Sequence, residues 1–150
     1  EWIGTGESGS QWWQKCNPNV KIDGGLSDMQ KLIRKSRLVV STSNGATFLE
    51  TLNLNIPTLV TWNSGYVQLR HQALPYFQSL KEVGIFHDND QSFVDHVTKY
   101  WGDIESWWAS DAVQSTRQTF CDQFSRVQPH PLLFLRRTLN SVNSTSGFRP

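Results

Sequence analysis

Apolar positions along this chain fall into two repeating patterns that alternate from one end to the other. Short runs rich in apolar and β-branched residues predict four strands, at residues 20–23, 38–42, 58–62 and 84–87. Between and after them, apolar residues recur three and four positions apart, which predicts helices at about 27–36, 46–53, 67–83, 92–101, 104–124 and 132–139. Strands that alternate with helices are typical of βα units with right-handed crossovers. We therefore predict an α/β fold, with a Rossmann-like, mostly parallel sheet flanked by helices.

Residues at the ends of these segments support the predicted boundaries. Ser27-Asp28-Met29-Gln30 has the form of a capping box at a helix start. Pro75 is expected to kink or divide the helix around it. Leu38–Thr42 begins with consecutive apolar residues, as expected for a strand covered on both faces of a parallel sheet. Ligands on such sheets bind beyond the carboxyl ends of the strands, so we expect a site in the turns that follow the strands.

Length and composition fit one globular domain. The chain has 150 residues, of which 37% are apolar and 18% are charged. We predict a domain over residues 1–140 and a flexible tail over residues 141–150. The net charge of +1 gives no electrostatic case for binding nucleic acid, and no run approaches the ~18 apolar residues of a membrane span. Cys16 and Cys121 lie far apart without metal-ligand spacing, which favours free thiols in a reduced, cytoplasmic setting.

The segment from Ser43 to Thr47 is the first candidate site. It joins a strand to a helix through small polar residues, so the backbone N–H groups at the helix start can face an anion. Gly45 permits a positive φ angle and leaves no side chain in the path of a phosphate. Glu50 follows one turn into the helix, where it can hold a sugar hydroxyl. The alternative is an ordinary turn capped by Ser43 or Asn44, with Glu50 in solvent.

Four further patterns carry weaker chemistry. Residues 4–9 match G-x-G-x-x-G, but the segment that follows is too short for the crossover helix of a dinucleotide site. Arg70-His71 offers a phosphate clamp beside a proton donor, or else a solvated helical face. We interpret His87–Asp90 as a helix N-cap cluster in preference to a metal site, and we predict no metal. Trp107-Trp108 is expected to pack, with one ring facing the core and the other a second surface.

Longer stretches resemble a bacterial family of transferases from surface-polysaccharide loci, those for lipopolysaccharide or O-antigen. The similarity covers roughly residues 18–125. The motifs that carry it are Val20-Lys21-Ile22-Asp23, Ser36-Arg37-Leu38-Val39-Val40-Ser41-Thr42, Asn44, Thr47-Phe48-Leu49-Glu50-Thr51-Leu52, Asn55-Ile56-Pro57-Thr58, Leu69-Arg70, Ala73, Pro75-Tyr76-Phe77, Val83-Gly84-Ile85-Phe86-His87, Trp107-Trp108 and Val113-Gln114. More distantly, the strand, turn and helix with a Glu at the seventh position after Ser43 are similar to the donor half of GT-B glycosyltransferases. The peptidoglycan N-acetylglucosaminyltransferase is an example of that class.

The resemblance implies that this chain is the C-terminal half of a GT-B fold. It implies a nucleotide-sugar donor, bound without a metal ion or other cofactor. On this sequence the turn would hold the diphosphate, Glu50 the ribose hydroxyls and the backbone of residues 22–24 the base edge, while Arg70 assists the phosphates. The expected donor-binding residues are Ile22, Asp23, Gly24, Ser43, Asn44, Gly45, Ala46, Thr47, Glu50 and Arg70. Ala46 departs from the family, because it lacks the hydroxyl of the threonine expected there.

The expected function is glycosyl transfer from a nucleotide sugar to a surface-polysaccharide or lipid-linked acceptor. The expected partner is an N-terminal Rossmann-like domain of the same polypeptide, which in GT-B enzymes usually supplies the catalytic base. The chain begins at Glu1 without Met, as a fragment would, and we do not expect it to be active alone. We expect a cytoplasmic protein that contacts a membrane-borne acceptor at the inner face of the cytoplasmic membrane. The alternatives are a GT-B-like nucleotide-sugar epimerase, a polyol-phosphate transferase and a non-catalytic nucleotide-sugar-binding module.

Overall fold

The computed structural model describes residues 9–62 and 69–145, and the side chains of residues 12–62 and 69–142. The chain divides into two compact units, Glu1–Ser36 and Arg37–Pro150, and each is described by itself. That residues 1–140 form one domain stays a prediction. The G-x-G-x-x-G match at residues 4–9 lies almost entirely outside the described residues.

The first unit contains two short helices, α1 (Gly9–Cys16) and α2 (Met29–Lys35). The strand predicted at residues 20–23 is wrong, because no strand forms there. Instead Asp23 closes a turn, in which its Oδ1 accepts the backbone N–H groups of Gly25 at 2.7 Å and Leu26 at 3.1 Å. A side chain that binds the nearby backbone in this way competes with strand pairing.

Helix α2 begins later than the capping-box pattern predicts. Its N-cap is Asp28, and the Asp28 carboxylate accepts hydrogen bonds from the backbone N–H groups of Gln30 and Lys31. The predicted cap was Ser27. A carboxylate brings a full negative charge to the positive end of the helix dipole, which a hydroxyl does not. That difference explains why the aspartate and not the serine starts this helix.

The second unit is built on a three-stranded sheet. Strands β1 (Val39–Ser41), β2 (Thr58–Thr61) and β3 (Phe86–His87) lie in the order β1-β2-β3. Both neighbouring pairs run parallel. Three of the four predicted strands are therefore confirmed, as are the α/β class and the parallel sheet. Because the three strands are parallel, their carboxyl ends lie at the same edge of the sheet.

Helices connect and follow these strands. They are α3 Ala46–Asn53, α4 Leu74–Glu82, α5 Asp90–Tyr100, α6 Ile104–Ala109, α7 Asp111–Phe124 and α8 Pro131–Thr145, with 3-10 turns at His71–Ala73 and Trp101–Asp103. Pro75 lies in the first turn of α4, so it starts this helix and does not kink it. The helix predicted over 104–124 divides at Ser110, whose backbone is extended. Helix α8 continues past its predicted end at 139, into the segment predicted to be a tail.

Aromatic rings form the centre of the second unit. Phe48 of α3, Phe77 of α4 and Phe120 of α7 are buried, and their ring centroids lie 5.2–6.4 Å apart. Edge-on and tilted contacts of this kind are favourable for aromatic rings. In the middle strand, Leu59 is fully buried. Val40 of β1 is 44% exposed, so the expectation that β1 is covered on both faces is wrong. The covered strand is β2, which has a neighbour on each side.

Trp107 and Trp108 are both buried, and each ring nitrogen has a hydrogen-bond acceptor. Nε1 of Trp107 donates to the carbonyl of Val83 at 3.1 Å, and Nε1 of Trp108 donates to Oδ1 of Asn55 at 2.9 Å. The prediction that this pair packs is confirmed. The expectation that one ring faces a second surface is wrong. The two rings point in different directions, but each is buried: the Trp107 ring contacts Val83 at the end of α4, and the Trp108 ring contacts Asn55 just after α3.

The C-terminal end of α3 is fixed by α7 and the residue that follows it. Nη1 of the buried Arg117 donates to the carbonyl of Leu52 at 2.8 Å. Nδ2 of Asn53 donates to the carbonyl of Ser125 at 2.7 Å. The last carbonyls of a helix have no partner within it and carry the negative end of its dipole, so a guanidinium stabilises them. Helix α3 is thus held at the end opposite to the turn that follows β1.

Replacing Arg117 by Met should lower the free energy of unfolding by about 1–3 kcal/mol, measured by urea denaturation. Methionine fills much of the same space but leaves the Leu52 carbonyl without its donor. Arg126→Met removes an exposed arginine and should stay within about 0.5 kcal/mol of the wild type. Equal unfolding midpoints for the two variants would contradict the role assigned to Arg117.

Gly84 joins α4 to β3 in a conformation that only glycine adopts easily. Its φ angle is +79°, and a Cβ atom added there would collide with the ring of His96. The backbone is fixed at this point, because the N–H of Gly84 donates to the carbonyl of Lys81 at 3.0 Å. Two separate costs therefore oppose any side chain at this position, one in the backbone and one in the packing.

Gly84→Ala should lower the free energy of unfolding by about 2–4 kcal/mol, as the sum of a strained φ angle and a displaced imidazole ring. Urea denaturation measures the change. Gly102→Ala is the matched control, because a Cβ atom at Gly102 meets open space. Adding Gly84→Ala to a His96→Ala background should cost less than adding it to the wild type. An equal cost in both backgrounds would show that the ring does not limit this position.

Candidate functional site

A cavity of about 310 Å³ lies beside the turn that follows β1. Five parts of the second unit line it: this turn, the first half of α3, the segment that leads into α4, α4 itself, and α7. The lining residues are Asn44, Phe48, Leu49, Leu69, Arg70, Ala73, Phe77, Phe120 and Phe124. The cavity is therefore at the carboxyl edge of the parallel sheet, where ligands of such folds bind.

Two residues that the sequence proposed for donor binding meet in this cavity. Asn44 comes from the turn after β1, and Arg70 from the segment after β2. Arg70 is exposed, and its guanidinium forms no ion pair with any residue in the described part of the chain. Its carbonyl accepts the N–H of Ala73 at 2.8 Å, which fixes the backbone from which the side chain extends. A free cation and an amide thus face the same space.

The start of α3 is not capped by a side chain. Gly45 is the N-cap, and its φ angle of −102° is extended backbone. The alternative in which Ser43 or Asn44 caps the helix is therefore wrong. Gly45 therefore does not use the positive φ angle that glycine permits. Its small size still matters, because the first N–H groups of a helix have no partner within it and attract an anion that can reach them.

The remaining proposed residues of the turn and helix are accessible to solvent. Ala46, Thr47 and Glu50 are all exposed, whereas Phe48 and Leu52 of the same helix are buried in the core. Residues four apart lie on the same face of a helix, so Glu50 stands one turn beyond Ala46. Glu50 is not among the residues that line the cavity. A ligand that contacts both Arg70 and Glu50 must extend out of the cavity along α3.

Ile22, Asp23 and Gly24 belong to the first unit, and their expected role at the base edge stays a prediction. Ile22 is 39% exposed. A hydrogen bond from the side chain of Ser27, together with the backbone N–H of Gly25, holds the pKa of the Asp23 carboxyl below its usual value. Asp23 is therefore a carboxylate at neutral pH, and its oxygen is used in closing the turn.

Sequence reasoning missed the aromatic wall of the cavity. Phe120 and Phe124 of α7 line it, with their ring centroids 4.7 Å apart, and Phe124 is 38% exposed. The apolar repeat of α7 predicted that one face packs on the core. It did not indicate which rings stop at the edge of the core and face a cavity. A partly exposed ring at the rim offers a flat apolar surface to a ligand.

A second cavity, of about 470 Å³, lies between the end of α4 and helix α5. His87 and His96 line it, and their ring centroids are 5.1 Å apart. Nδ1 of His87 lies 3.2 Å from Oγ of Ser92, and its Nε2 lies 3.0 Å from the carbonyl of Gly84. Asn89 caps α5 by accepting the N–H of Ser92 at 2.9 Å, which confirms the predicted N-cap cluster.

Within the described ranges 9–62 and 69–145, no group of three His, Cys, Asp or Glu side chains is arranged to hold a metal ion. No helix in these ranges combines the length and apolar character needed to cross a membrane.

In a comparison with known protein families, a family model described as LIC12162 family transferase matches residues 4–139. The matched span includes all three strands, the turn after β1 and Arg70. No curated protein and no solved structure matches the chain significantly.

The protein should lose stability as the pH falls from about 6.5 towards 4. Burial, with smaller contributions from the charges of His87 and Lys99, lowers the pKa of His96 from 6.5 to about 4. A histidine whose pKa is lower in the folded state stabilises the fold fully above pH 6.5, and this contribution is lost as the pH falls. Urea midpoints of the wild type should therefore decline faster between pH 7 and 5 than those of His96→Gln. His130→Gln removes an exposed histidine and should keep the wild-type slope.

Proposed function

Because this chain belongs to the LIC12162 family of transferases, we propose that it binds the nucleoside diphosphate of a nucleotide-sugar donor. In this proposal it is the donor half of a GT-B-type glycosyltransferase, and the sugar passes to a surface-polysaccharide or lipid-linked acceptor. One observation carries the proposal. Asn44 and Arg70 line a single cavity at the carboxyl edge of a parallel sheet, and Asn44 directly precedes Gly45, the N-cap of α3, which has no side-chain cap.

The diphosphate would lie against the first turn of α3. The backbone N–H groups of Ala46 and Thr47 would donate to its oxygens, and the helix dipole adds about 0.3–1 kcal/mol of attraction for an anion. Gly45 leaves room for this approach, since it has no side chain. Arg70 would reach the same oxygens with two parallel N–H donors, a geometry that a guanidinium offers to a phosphate and an ammonium does not.

The rest of the donor would extend along the exposed face of α3. Glu50 stands one turn from Ala46 and would accept hydrogen bonds from the ribose hydroxyls. Glu50 does not line the cavity, so the ribose would lie outside it, next to the phosphates at the start of α3. The backbone of residues 22–24 would contact the base edge. An N-terminal Rossmann-like domain would bring the acceptor and the catalytic base.

The chemical step assigned to this half is departure of the nucleoside diphosphate. Negative charge develops on the leaving oxygens as the bond to the sugar breaks. The N–H groups at the start of α3 and the guanidinium of Arg70 would stabilise that charge without a metal ion. Fixed donors of this kind act most strongly where charge develops, and losing one typically slows a reaction by about 10²–10³-fold.

Membership of a transferase family favours group transfer over the other readings. An epimerase changes a sugar without moving it to an acceptor, and a non-catalytic module moves nothing. A polyol-phosphate transferase is also a transferase, and it differs in keeping a phosphate on the group that moves. Analysis of the released nucleotide separates the two, because glycosyl transfer releases a nucleoside diphosphate and polyol-phosphate transfer releases a monophosphate.

Isothermal titration calorimetry with UDP, GDP, CDP and TDP should show that the chain binds at least one of them. Arg70→Gln should weaken that binding by about 10–100-fold, the loss expected for a charge-assisted contact. Asn44→Ala should weaken it by a smaller factor. Glu50→Ala should weaken nucleoside diphosphates and leave the binding of inorganic pyrophosphate unchanged, because pyrophosphate has no ribose.

Arg126→Gln is the matched control, since it removes one exposed arginine that does not line the cavity. It should leave all affinities unchanged. Binding of no nucleotide, or equal losses in Arg126→Gln and Arg70→Gln, would show that the donor-site proposal is wrong. Circular dichroism of each variant verifies that a lost affinity does not reflect lost folding.

A further inference from the structure

Helix α8 exposes apolar side chains at its beginning. Leu132, Leu133, Phe134 and Leu135 are 81%, 53%, 55% and 53% exposed. Successive helical residues point about 100° apart, so these four side chains surround the helix axis on every side. A neighbouring helix or a second protein surface covers one side of a helix. The acyl region of a lipid layer, in contrast, can surround an apolar helical turn on every side.

The charges around this turn fit an anionic surface. Arg136 and Arg137 follow it directly. No Asp or Glu occurs after Asp122. One helical turn rises about 5.4 Å, which places the two arginines at the level of lipid phosphates when the apolar turn enters the boundary of the acyl chains.

We propose that the first turn of α8, Leu132–Leu135, inserts into the surface of an anionic lipid bilayer while Arg136 and Arg137 bind the lipid phosphates. The helix does not cross the bilayer in this proposal but dips into one leaflet. The proposal is independent of nucleotide binding, because no residue of α8 lines the donor cavity.

A second copy of this chain fits α8 less well. Leu132, Leu135 and Leu139 share one side of the helix and resemble the seam of a coiled coil. Arg136 stands beside that seam, and α8 contains no acidic residue that a second copy could offer as its partner. Packing along this seam would also leave Leu133, on the opposite side, in water. At a lipid surface, the lipid phosphates would pair with Arg136 and the acyl chains would cover Leu133.

Vesicle sedimentation tests the proposal with the whole chain. We expect binding to vesicles of phosphatidylglycerol and phosphatidylethanolamine, and none to phosphatidylcholine alone. The double variant R136Q/R137Q should weaken binding by about 25-fold, about fivefold for each arginine. Removing Arg34 and Lys35 by R34Q/K35Q takes the same charge from the exposed end of α2 and should change binding little.

L133S/F134S should weaken binding at least about tenfold, because it removes apolar side chains that would enter the lipid. L26S is the control, since Leu26 is 97% exposed and lies outside α8, and it should not weaken binding.

A fluorescent probe distinguishes insertion of the helix start from packing along its side. Positions 133 and 140 lie on nearly the same side of α8, two turns apart. In a C16S background, an environment-sensitive label on L133C should become shielded when anionic vesicles are added, and one on N140C should stay in water. Shielding of neither position, or failure of the wild type to bind anionic vesicles, would overturn the proposal.

Sedimentation velocity tests whether a second copy of the chain binds α8 instead of lipid. Dimerisation that L135S and L139S abolish, without vesicle binding, would assign α8 to a second copy of the chain and would also overturn the proposal. Nucleotide affinity measured on R136Q/R137Q should equal that of the wild type. The lipid result and the donor-site result therefore succeed or fail separately.

Discussion

The hydrogen bond from Arg117 to the carbonyl of Leu52 is the contact on which the proposed site most depends. It holds α3 at its C-terminal end, where Asn53 also binds the backbone after α7. A helix that is fixed at one end presents its other end in a defined direction. The N-terminal end of α3 is therefore placed beside the cavity by contacts that involve none of the residues proposed to bind a ligand. The C-terminal end of α3 thus stabilises the fold, while its N-terminal end is the part proposed to bind a ligand.

The same helix connects the core to the cavity. Phe48 packs against Phe77 and Phe120, and all three rings also line the cavity. The apolar wall of the site is thus the outer limit of the hydrophobic core. Rings in a close-packed core have little freedom to rearrange, so the cavity has a fixed floor. Its polar members, Asn44 and Arg70, stand on backbone segments that follow strands, where side chains can change without disturbing the core.

Sequence periodicity predicted the parts of the fold that depend on burial. Short runs rich in apolar and β-branched residues predict the strands that end at Ser41, Thr61 and His87, and the structure contains all three. The false strand at residues 20–23 arose because the pattern contains no information about Asp23, whose side chain closes a turn. The alternative in which Ser43 or Asn44 caps α3 is wrong for a similar reason. Ser43 and Asn44 are good caps by type, but the backbone bends so that Gly45 occupies that position.

The candidate site was harder to predict than the fold, since it combines residues from separate segments. The sequence proposed Asn44 and Arg70 on different grounds, one from a strand–turn–helix pattern and one from its place after the next strand. The parallel pairing of β1 with β2 brings the carboxyl ends of these strands to one edge, and Asn44 and Arg70 line the same cavity there. The wall formed by Phe120 and Phe124 had no signal of its own, because an apolar repeat looks the same whether it faces a core or a cavity.

The two proposals place a limit on where transfer could occur. Phe124 lines the cavity, and Pro131 begins the helix proposed to enter lipid. The chain between these two residues spans at most about 25 Å even when fully extended, at about 3.5 Å per residue. A donor bound in the cavity would therefore stay within a short distance of the bilayer surface. That restriction would be of little use for an acceptor in free solution. It would match an acceptor whose reactive group is carried on a lipid, since both substrates would then meet at the surface.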